Sequence, residues 1–288
     1  MEITAAQVKA LRDKTGAGMM DCKKALAESN GDVEKAIDYL RKKGAATAEK
    51  RMDRAANEGI ILTSIDGNKG YVLEVNCETD FVARSEDFLN FSKRALHAVK
   101  MHHPHSLDAL MKLQDGDRTI EQYLVEVIGK IGEKIEVKRF SKFDTQGVLA
   151  DYIHPGSKLG VMVELLHEGK EDAAVAALAR DLAMQIAAMN PVAISRDAVP
   201  KEVIERELDI YRQQAKDQGK PEAMLDKIAQ GKLGKYYQEF TLLEQSYIRD
   251  ATKTVKDHVE EVAKQLGQKI QVLRFERYHV GEGTSVNK

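Results

Sequence analysis

Apolar positions at the start of the chain recur with helical spacing. Thr4 precedes Gln7 by three residues, which is the pattern of a capping box and predicts that a helix begins there. Val8 and Leu11 continue the apolar face of this helix until Gly16 breaks it. The first predicted element is therefore a short helix.

Two further short helices are predicted to complete this N-terminal module. The run from Met19 to Glu28 has apolar residues at helical spacing, and Asn30-Gly31 ends it. Asp32 is placed to cap a third helix with Val33, Ile37 and Leu40 on one face, which Gly44 is expected to close. A module of this size is only marginally stable alone.

Most of the remaining chain consists of two related repeats. Residues 59–75 and 147–165 share glycines and aliphatic residues at corresponding positions, and residues 132–140 correspond in the same way to 267–275. Each repeat is predicted to contain a β-hairpin around a glycine-containing turn and a third strand with alternating apolar residues. The helical runs of the repeats lie near 88–101, 120–131, 173–189 and 250–266. The expected fold class is α+β, with an antiparallel three-stranded sheet in each repeat.

The second repeat is longer than the first between its hairpin and its last strand. Pro200 is a favourable first-turn residue, and apolar residues at helical spacing follow it. Gly219-Lys220-Pro221 then turns the chain, and a return helix is expected to run to Gly231. We expect this insert to be an antiparallel helical hairpin.

These patterns together predict a division of the chain into seven parts. They are a three-helix domain (1–44), a solvated helical linker (45–58), the first core subdomain (59–140), the first part of the second core subdomain (141–190), the inserted hairpin (191–231), the second part of that subdomain (232–276) and a C-terminal tail (277–288).

Composition and charge narrow the possible functions. Charged residues make up 31% of the chain but leave a formal net charge of only -2, so the basic field that nucleic-acid binders use is missing. No stretch approaches the roughly 18 apolar residues of a membrane span. Cys22 and Cys77 show neither a disulfide framework nor zinc-site spacing. We expect a cytoplasmic protein that binds neither membrane nor nucleic acid.

Motifs for chemistry are missing as well. The sequence has no glycine-rich phosphate loop, so we expect no direct nucleotide binding and no cofactor. His102, His103 and His105 surround Pro104, which argues against a regular metal-ligand face and favours a solvated loop. Cys77 lacks a neighbouring group that would make it a thiolate. No catalytic and no metal-binding residue is predicted.

The segment 79–84 is unusual for a purely structural connection. Ser85, followed by two acidic residues, predicts the start of a helix, so Thr79 to Arg84 lie between a strand and that helix. Phe81 either packs beneath its own domain or forms an exposed anchor, and both possibilities stay open at this point. An exposed aromatic beside Asp80 would be typical of a binding hot spot.

Two other places are candidates for partner contact. Met19 and Met20 follow a glycine-rich turn, and methionine adapts to irregular partner surfaces. We nevertheless expect at least one of them to fill the small helical core. His154 lies in the turn His154-Pro155-Gly156, for which a solvated turn is the simpler interpretation.

Three motifs of the chain resemble those of a known family. They are residues 15–26, 74–84 and 280–283. Through them the chain is similar to bacterial elongation factor Ts over essentially its whole length. The resemblance implies an N-terminal domain similar to ubiquitin-associated domains, a core of two related halves and a coiled-coil hairpin in the second half.

The resemblance also implies a function without chemistry of its own. Members of this family are guanine-nucleotide exchange factors for elongation factor Tu, and the corresponding stretch here, Thr79, Asp80, Phe81 and Val82, would displace Mg²⁺ from that partner and promote GDP release. Partner contacts would also come from the N-terminal module through Met19 and Met20, and from Arg84 and His154. A homodimer or a 2:2 complex with the partner stays open.

Three other functions are compatible with the residues. The chain could be an adaptor that binds ubiquitin-like folds through its N-terminal module, a translation-associated RNA-binding protein, or an uncharacterised enzyme. The adaptor would bind through that module alone. RNA binding would depend steeply on salt, and an enzyme would turn over without a second protein.

Overall fold

A computed structural model of the chain describes residues 3–169 and 173–282. Its helices are α1 (Ala5–Thr15), α2 (Met19–Glu28), α3 (Val33–Arg51), α4 (Asp80–Ala83), α5 (Glu86–His102), α6 (Leu107–Met111), α7 (Ile120–Ile131), α8 (Ala173–Met189), α9 (Lys201–Asp217), α10 (Leu225–Phe240) and α11 (Val255–Leu266). Its strands are β1 (Glu58–Asp66), β2 (Lys69–Cys77), β3 (Gln114–Asp115), β4 (Arg118–Thr119), β5 (Ile135–Asp144), β6 (Val148–Ile153), β7 (Leu159–His167), β8 (Ser246–Tyr247), β9 (Asp250–Thr254) and β10 (Ile270–His279).

The N-terminal module contains the three predicted helices. The backbone N–H of Gln7 donates to the Thr4 hydroxyl, and the Gln7 side chain accepts from the Thr4 backbone, so the predicted capping box is present. Gly16, at a φ of 66°, ends α1 in the left-handed conformation that glycine adopts at low cost. The buried core of the module is small and consists of Val8, Leu11, Cys22, Ala25, Leu26 and Ala36. Val33, which was predicted on this apolar face, is exposed instead.

The third helix is longer than predicted. Gly44 does not end α3, which continues to Arg51, so the predicted end of this helix at Gly44 was wrong. Residues 45–51 of the predicted helical linker are part of α3. Glycine inside a helix costs about 1 kcal/mol relative to alanine, but here it allows a close approach. A Cβ at Gly129 of α7 would lie only 2.9 Å from the Cα of Gly44. Tertiary packing against α7 therefore outweighs the local preference of Gly44.

The two repeats form sheets with the same strand order. One sheet has the order β1-β2-β5 and the other β6-β7-β10 when both are followed from the first hairpin strand. All pairs are antiparallel, and Cys77 pairs with Ile135 as His167 pairs with Ile270. The α5 and α7 helices cover the first sheet, and α8 and α11 cover the second. The predicted α+β class and the internal repeat are confirmed.

The two sheets contact each other through a third apolar cluster. It consists of Ile61, Val72, Phe143, Met162, Tyr278 and Val280. Beside it, the Arg139 guanidinium donates to the buried Glu74 carboxylate at 2.6 Å and lies over the Tyr278 ring at 4.1 Å. The buried charges are thus paired where the two repeats meet, as burial requires.

The inserted hairpin is present, with a later end than predicted. The return helix α10 passes through Gly231 and ends at Phe240, so the predicted end at Gly231 was wrong. Apolar residues beyond Gly231 explain this extension, because Leu233 and Tyr236 pack with α9. The core of the hairpin is separate from those of the sheets and contains buried Ala193, Val199, Leu233 and Tyr236.

Three smaller boundaries also differ from the prediction. The last strand of the first repeat extends past residue 140 to Asp144, and β10 extends to His279, so residues 277–279 are strand rather than tail. Residues 250–254 are strand β9 and not helix, because α11 begins only after its cap at Thr254. The remainder of the predicted tail from residue 283 lies outside the described residues. We propose the same division of the chain into domains, with these boundaries changed.

Among the described residues, no helix combines the length and the hydropathy needed to cross a membrane.

Candidate partner-binding site

The segment 79–84, called the Phe81 turn from here on, is a single capped helical turn. Thr79 is extended and its hydroxyl accepts a hydrogen bond from the backbone N–H of Val82 at 3.4 Å, so Thr79 caps α4. The Ser85 hydroxyl then caps α5, as its sequence context predicted. Two consecutive caps fix the path of the chain between β2 and α5.

Neighbouring side chains of this turn point in opposite directions. Phe81 is 82% exposed, the highest value among the exposed large hydrophobic side chains of the described residues. Val82 and Ala83 are buried in the core of the first sheet. Of the two possibilities left open for Phe81, the structure has the exposed one. Val82 was predicted to contact the partner, but its burial leaves it as part of the support beneath Phe81.

Asp80 and Arg84 form an ion pair across the outer face of this turn. The Arg84 guanidinium donates to the Asp80 carboxylate at 2.7 Å, and both side chains are exposed. Exposed pairs of this kind contribute only about 0 to 1 kcal/mol. The Asp80 carboxylate can therefore exchange Arg84 for another polar or cationic group at little cost.

Two carboxylates hold the start of the Phe81 turn from below. The Glu133 carboxylate accepts from the Thr79 backbone N–H at 3.0 Å and from the Thr79 hydroxyl at 2.9 Å. The Glu78 carboxylate accepts from the backbone N–H of Lys134 at 2.6 Å and from the guanidinium groups of Arg51 and Arg54, each at 3.1 Å. The Phe81 turn is thus fastened both to the loop before β5 and to the end of α3.

The charge state of Glu78 fits this role. Burial would raise the pKa of the Glu78 carboxyl, but donation by the Lys134 backbone and by the Arg54 and Arg51 guanidinium groups outweighs it and lowers the pKa below its ordinary value. Glu78 is therefore ionised near neutral pH. Sequence reasoning did not single out Glu78 or Glu133, because their partners are distant along the chain.

The turn that contains His154 lies near the same end of the first sheet. His154 is exposed, and its Nδ1 lies 2.9 Å from the Tyr152 hydroxyl. Lys158, just after this turn, pairs with Glu58 at 2.6 Å, and Glu58 is opposite Cys77 in the sheet. Because Cys77 immediately precedes Glu78, the structure brings the second repeat close to the segment that leads into the Phe81 turn.

Met19 and Met20 lie in the first turn of α2, on the surface of the N-terminal module. Their exposures are 60% and 75%, so the expectation that at least one of them fills the core was wrong. Cys22, Ala25 and Leu26 fill that core instead. Two adjacent exposed methionines leave this face of the module unusually apolar.

Groups that suggested other chemistry have ordinary surroundings. Burial, together with the nearby carboxylates of Glu133 and Glu58, raises the pKa of the Cys77 thiol to about 12, so it stays protonated at neutral pH. The ring of His103 stacks on Tyr71 with centroids 5.8 Å apart. Within residues 3–169 and 173–282, no group of three or more His, Cys, Asp or Glu is arranged to hold a metal ion.

Known proteins that are similar to this chain carry one family name. The family model described as Elongation factor TS matches residues 78–282. The chain is 49% identical to the Elongation factor Ts of Prosthecochloris aestuarii over 287 residues, which cover 97% of this chain and 99% of that protein. It is 47% identical to the one of Chloroherpeton thalassium, with 98% and 99% covered, and 45% identical to the one of Clostridium perfringens, with 98% and 94% covered. The chain belongs to the elongation factor Ts family.

Proposed function

We propose that this protein is a guanine-nucleotide exchange factor that acts in translation elongation in the cytoplasm. In this proposal it binds elongation factor Tu in its GDP form and promotes GDP release, so that GTP can bind. Family membership supports this partner. The single observation that carries the exchange step is the exposed Phe81, which stands on a capped and anchored turn beside Asp80.

Phe81 supplies the largest single contribution to the interaction energy in this mechanism. A factor that moves a partner from almost fully GDP-bound to almost fully released must bind the two states with affinities that differ by about 10⁴-fold, or about 5.5 kcal/mol. A surface ion pair contributes about 0 to 1 kcal/mol, whereas a buried aromatic anchor contributes about 2 kcal/mol or more. We infer that the Phe81 ring enters a pocket near the phosphate and Mg²⁺ site of the partner.

Asp80 has a different part in the same step. Its carboxylate leaves Arg84 and reorients polar groups around the Mg²⁺ of the partner, which weakens the contacts of that ion and of the GDP phosphates. Arg84 then becomes available to an acidic group of the partner. The protein makes and breaks no covalent bond in this process, but shifts an equilibrium between two states of the partner.

The N-terminal module and the His154 turn add affinity. Met19 and Met20 present an adaptable apolar surface, and α3 joins this module to the first repeat by packing on α7. A second contact linked in this way strengthens binding without acting on the nucleotide. His154 is exposed near the same end of the first sheet and offers a polar contact from the second repeat.

The test is the release of a fluorescent GDP from elongation factor Tu in a stopped-flow instrument. Increasing amounts of the protein should accelerate release to a plateau, and added Mg²⁺ should oppose the effect. By linkage, GDP should weaken binding of the protein to elongation factor Tu by the same factor by which the protein weakens binding of GDP. If the protein binds elongation factor Tu and the release rate does not change, the proposal of exchange is wrong.

A further inference from the structure

The hydroxyl of Thr79 has only one orientation that satisfies its neighbours. It donates its proton to the Glu133 carboxylate at 2.9 Å and accepts from the Val82 backbone N–H at 3.4 Å. A hydroxyl has a single proton, so the bond to Glu133 directs a lone pair of the oxygen toward Val82. Glu133 thereby sets the cap from which α4 starts.

An isolated turn of this length needs such support. The α4 helix has four residues, far fewer than the ~12 that an independent helix requires in water. Phe81 lies on this turn and is mostly exposed, so its own packing contributes little to fixing its direction. The direction of Phe81 is therefore set by the Thr79 cap and by the burial of Val82 beneath it.

The backbone position of Glu133 is fixed by the secondary structure on both sides of it. Gly132 ends α7 in the left-handed conformation at a φ of 80°, and β5 begins at Ile135, so Glu133 lies in a short reversal between a helix and a strand. The next residue, Lys134, donates its backbone N–H to Glu78 at 2.6 Å. The reversal and the strand end at Cys77 thus lie side by side.

The second repeat has the same strands but lacks the counterparts of the Glu133 carboxylate and the Thr79 hydroxyl. Following the strand pairing, Gln268 corresponds to Glu133 and Gly169 corresponds to Thr79. The Gln268 side chain still lies against Gly169. The strands pair there as they do in the first repeat, so the carboxylate and the hydroxyl are not needed to join them. They occur together in the repeat that carries Phe81.

We propose that Glu133 is a positioning residue for exchange, which fixes the direction of Phe81 through its two hydrogen bonds to Thr79. This inference rests on the proposed exchange function, because the direction of Phe81 matters only if the ring enters the partner. Glu133 itself makes no contact with the partner in this account. Its effect on GDP release is transmitted through Thr79 and α4.

The decisive variant is Glu133→Gln. An amide has one acceptor oxygen, so it cannot accept from both Thr79 donors in the present geometry. Exchange of the Thr79 amide hydrogen in the isolated protein should become about tenfold faster. The maximal rate of GDP release should fall about tenfold, while the half-saturating concentration changes by less than about threefold.

A further variant, outside the Phe81 turn, serves as a matched control. Gln268→Ala removes the corresponding side chain of the second repeat and should leave both the release rate and the Thr79 amide unchanged. A loss of rate in Gln268→Ala equal to that in Glu133→Gln would contradict a role specific to the first repeat.

A double-mutant cycle with Phe81→Ala separates positioning from general destabilisation. If Glu133 acts through Phe81, Glu133→Gln should lower the release rate in the native background and have almost no effect in the Phe81→Ala background. Equal effects in both backgrounds would overturn the inference, and so would a folded Glu133→Gln variant with the native rate. Failure of the native protein to accelerate release would contradict the exchange function instead. The amide exchange of Thr79, measured without a partner, would still report whether Glu133 holds the turn.

Discussion

The two repeats share one framework but differ at the end of the middle strand. In the first repeat, β2 leads into the Phe81 turn, which Glu133 and Glu78 hold in place. In the second repeat, β7 ends at His167, and Gly169 follows shortly after it. The second repeat also carries an insertion after α8, the α9–α10 hairpin, which has its own apolar core. A common sheet can therefore carry different surfaces, which are set by a few strand-end residues or by an insertion.

The N-terminal module is a second difference between the repeats, because it packs on the first repeat. The α3 helix packs on α7 at Gly44 and Gly129, and Arg51 at its end contacts Glu78. The two apolar surfaces that we propose for partner contact, at Met19 and Met20 and at Phe81, therefore share one support.

The largest expected effect comes from Phe81→Ala, which would remove the main functional difference between the repeats. Because Phe81 is exposed, its loss should leave the unfolding temperature nearly unchanged while it removes about 2 kcal/mol or more of exchange-promoting interaction. The maximal rate of GDP release should fall about 30-fold or more. The matched control is Leu273→Ala on β10, another exposed apolar residue, which should release GDP at the native rate. Unfolding of Phe81→Ala, seen by circular dichroism, would contradict its surface position.

A change at the adjacent residue should give the opposite pattern. Val82→Ala removes buried methyl groups from the core of the first sheet and should lower the free energy of unfolding by about 2 kcal/mol. At a temperature where the variant is folded, its maximal release rate should stay within about threefold of the native rate, since the Thr79 cap still directs Phe81 and alanine keeps part of the apolar support. Urea unfolding followed by circular dichroism measures the first effect. A normal stability with a strongly reduced release rate would return Val82 to the contact surface.

Removal of the N-terminal module tests whether it supplies affinity alone. Deletion of residues 1–50 removes Met19 and Met20 but keeps Arg51 and Arg54 for Glu78. The half-saturating concentration should rise about tenfold or more because one of two linked contacts is lost. The plateau rate should change little. A plateau far below the native one would show that the module takes part in the exchange step.

The smallest effect is expected from excision of the hairpin, which makes the second repeat as short as the first. The cut has to lie after α10, because the predicted end of the hairpin at residue 231 would divide this helix. Residues 195–240 can be replaced by a short Gly/Ser linker, since the Leu242 N–H donates to the Ala193 carbonyl at 2.8 Å and brings the two ends together. The remaining protein should unfold cooperatively and keep its plateau rate within about twofold. Loss of cooperative unfolding would show that the second sheet depends on the hairpin.

Helix caps, which depend only on residues within one helix turn of each other, were predicted correctly from the sequence. The caps at Thr4, Asp32 and Ser85 are present because a hydroxyl or carboxylate needs only a nearby N–H. The hairpin and the third strand of each repeat also followed from internal similarity. By contrast, Gly44 and Gly231 were taken as helix ends because glycine is locally unfavourable in helices, and tertiary packing reversed that preference in both places.

The candidate site was predictable only in part. The Phe81 turn was identified, but four residues are too few for a periodic pattern to show which side chains are buried. The exposure of Phe81 and the burial of Val82 therefore needed the structure. Glu133 was not identified because its bonds to Thr79 join residues far apart in the chain. The difference between Glu133 and Gln268 was visible in the sequence, yet only strand pairing gives it a meaning.

The most direct test of the central claim compares affinities for two states of the partner. The dissociation constants of the native protein and of Phe81→Ala should be measured for nucleotide-free and for GDP-bound elongation factor Tu. Our account predicts that the native protein binds the nucleotide-free form far more tightly, and that Phe81→Ala reduces this ratio by about 30-fold or more. If Phe81→Ala weakens binding to both forms equally, Phe81 contributes only general affinity, and the proposed exchange mechanism is contradicted.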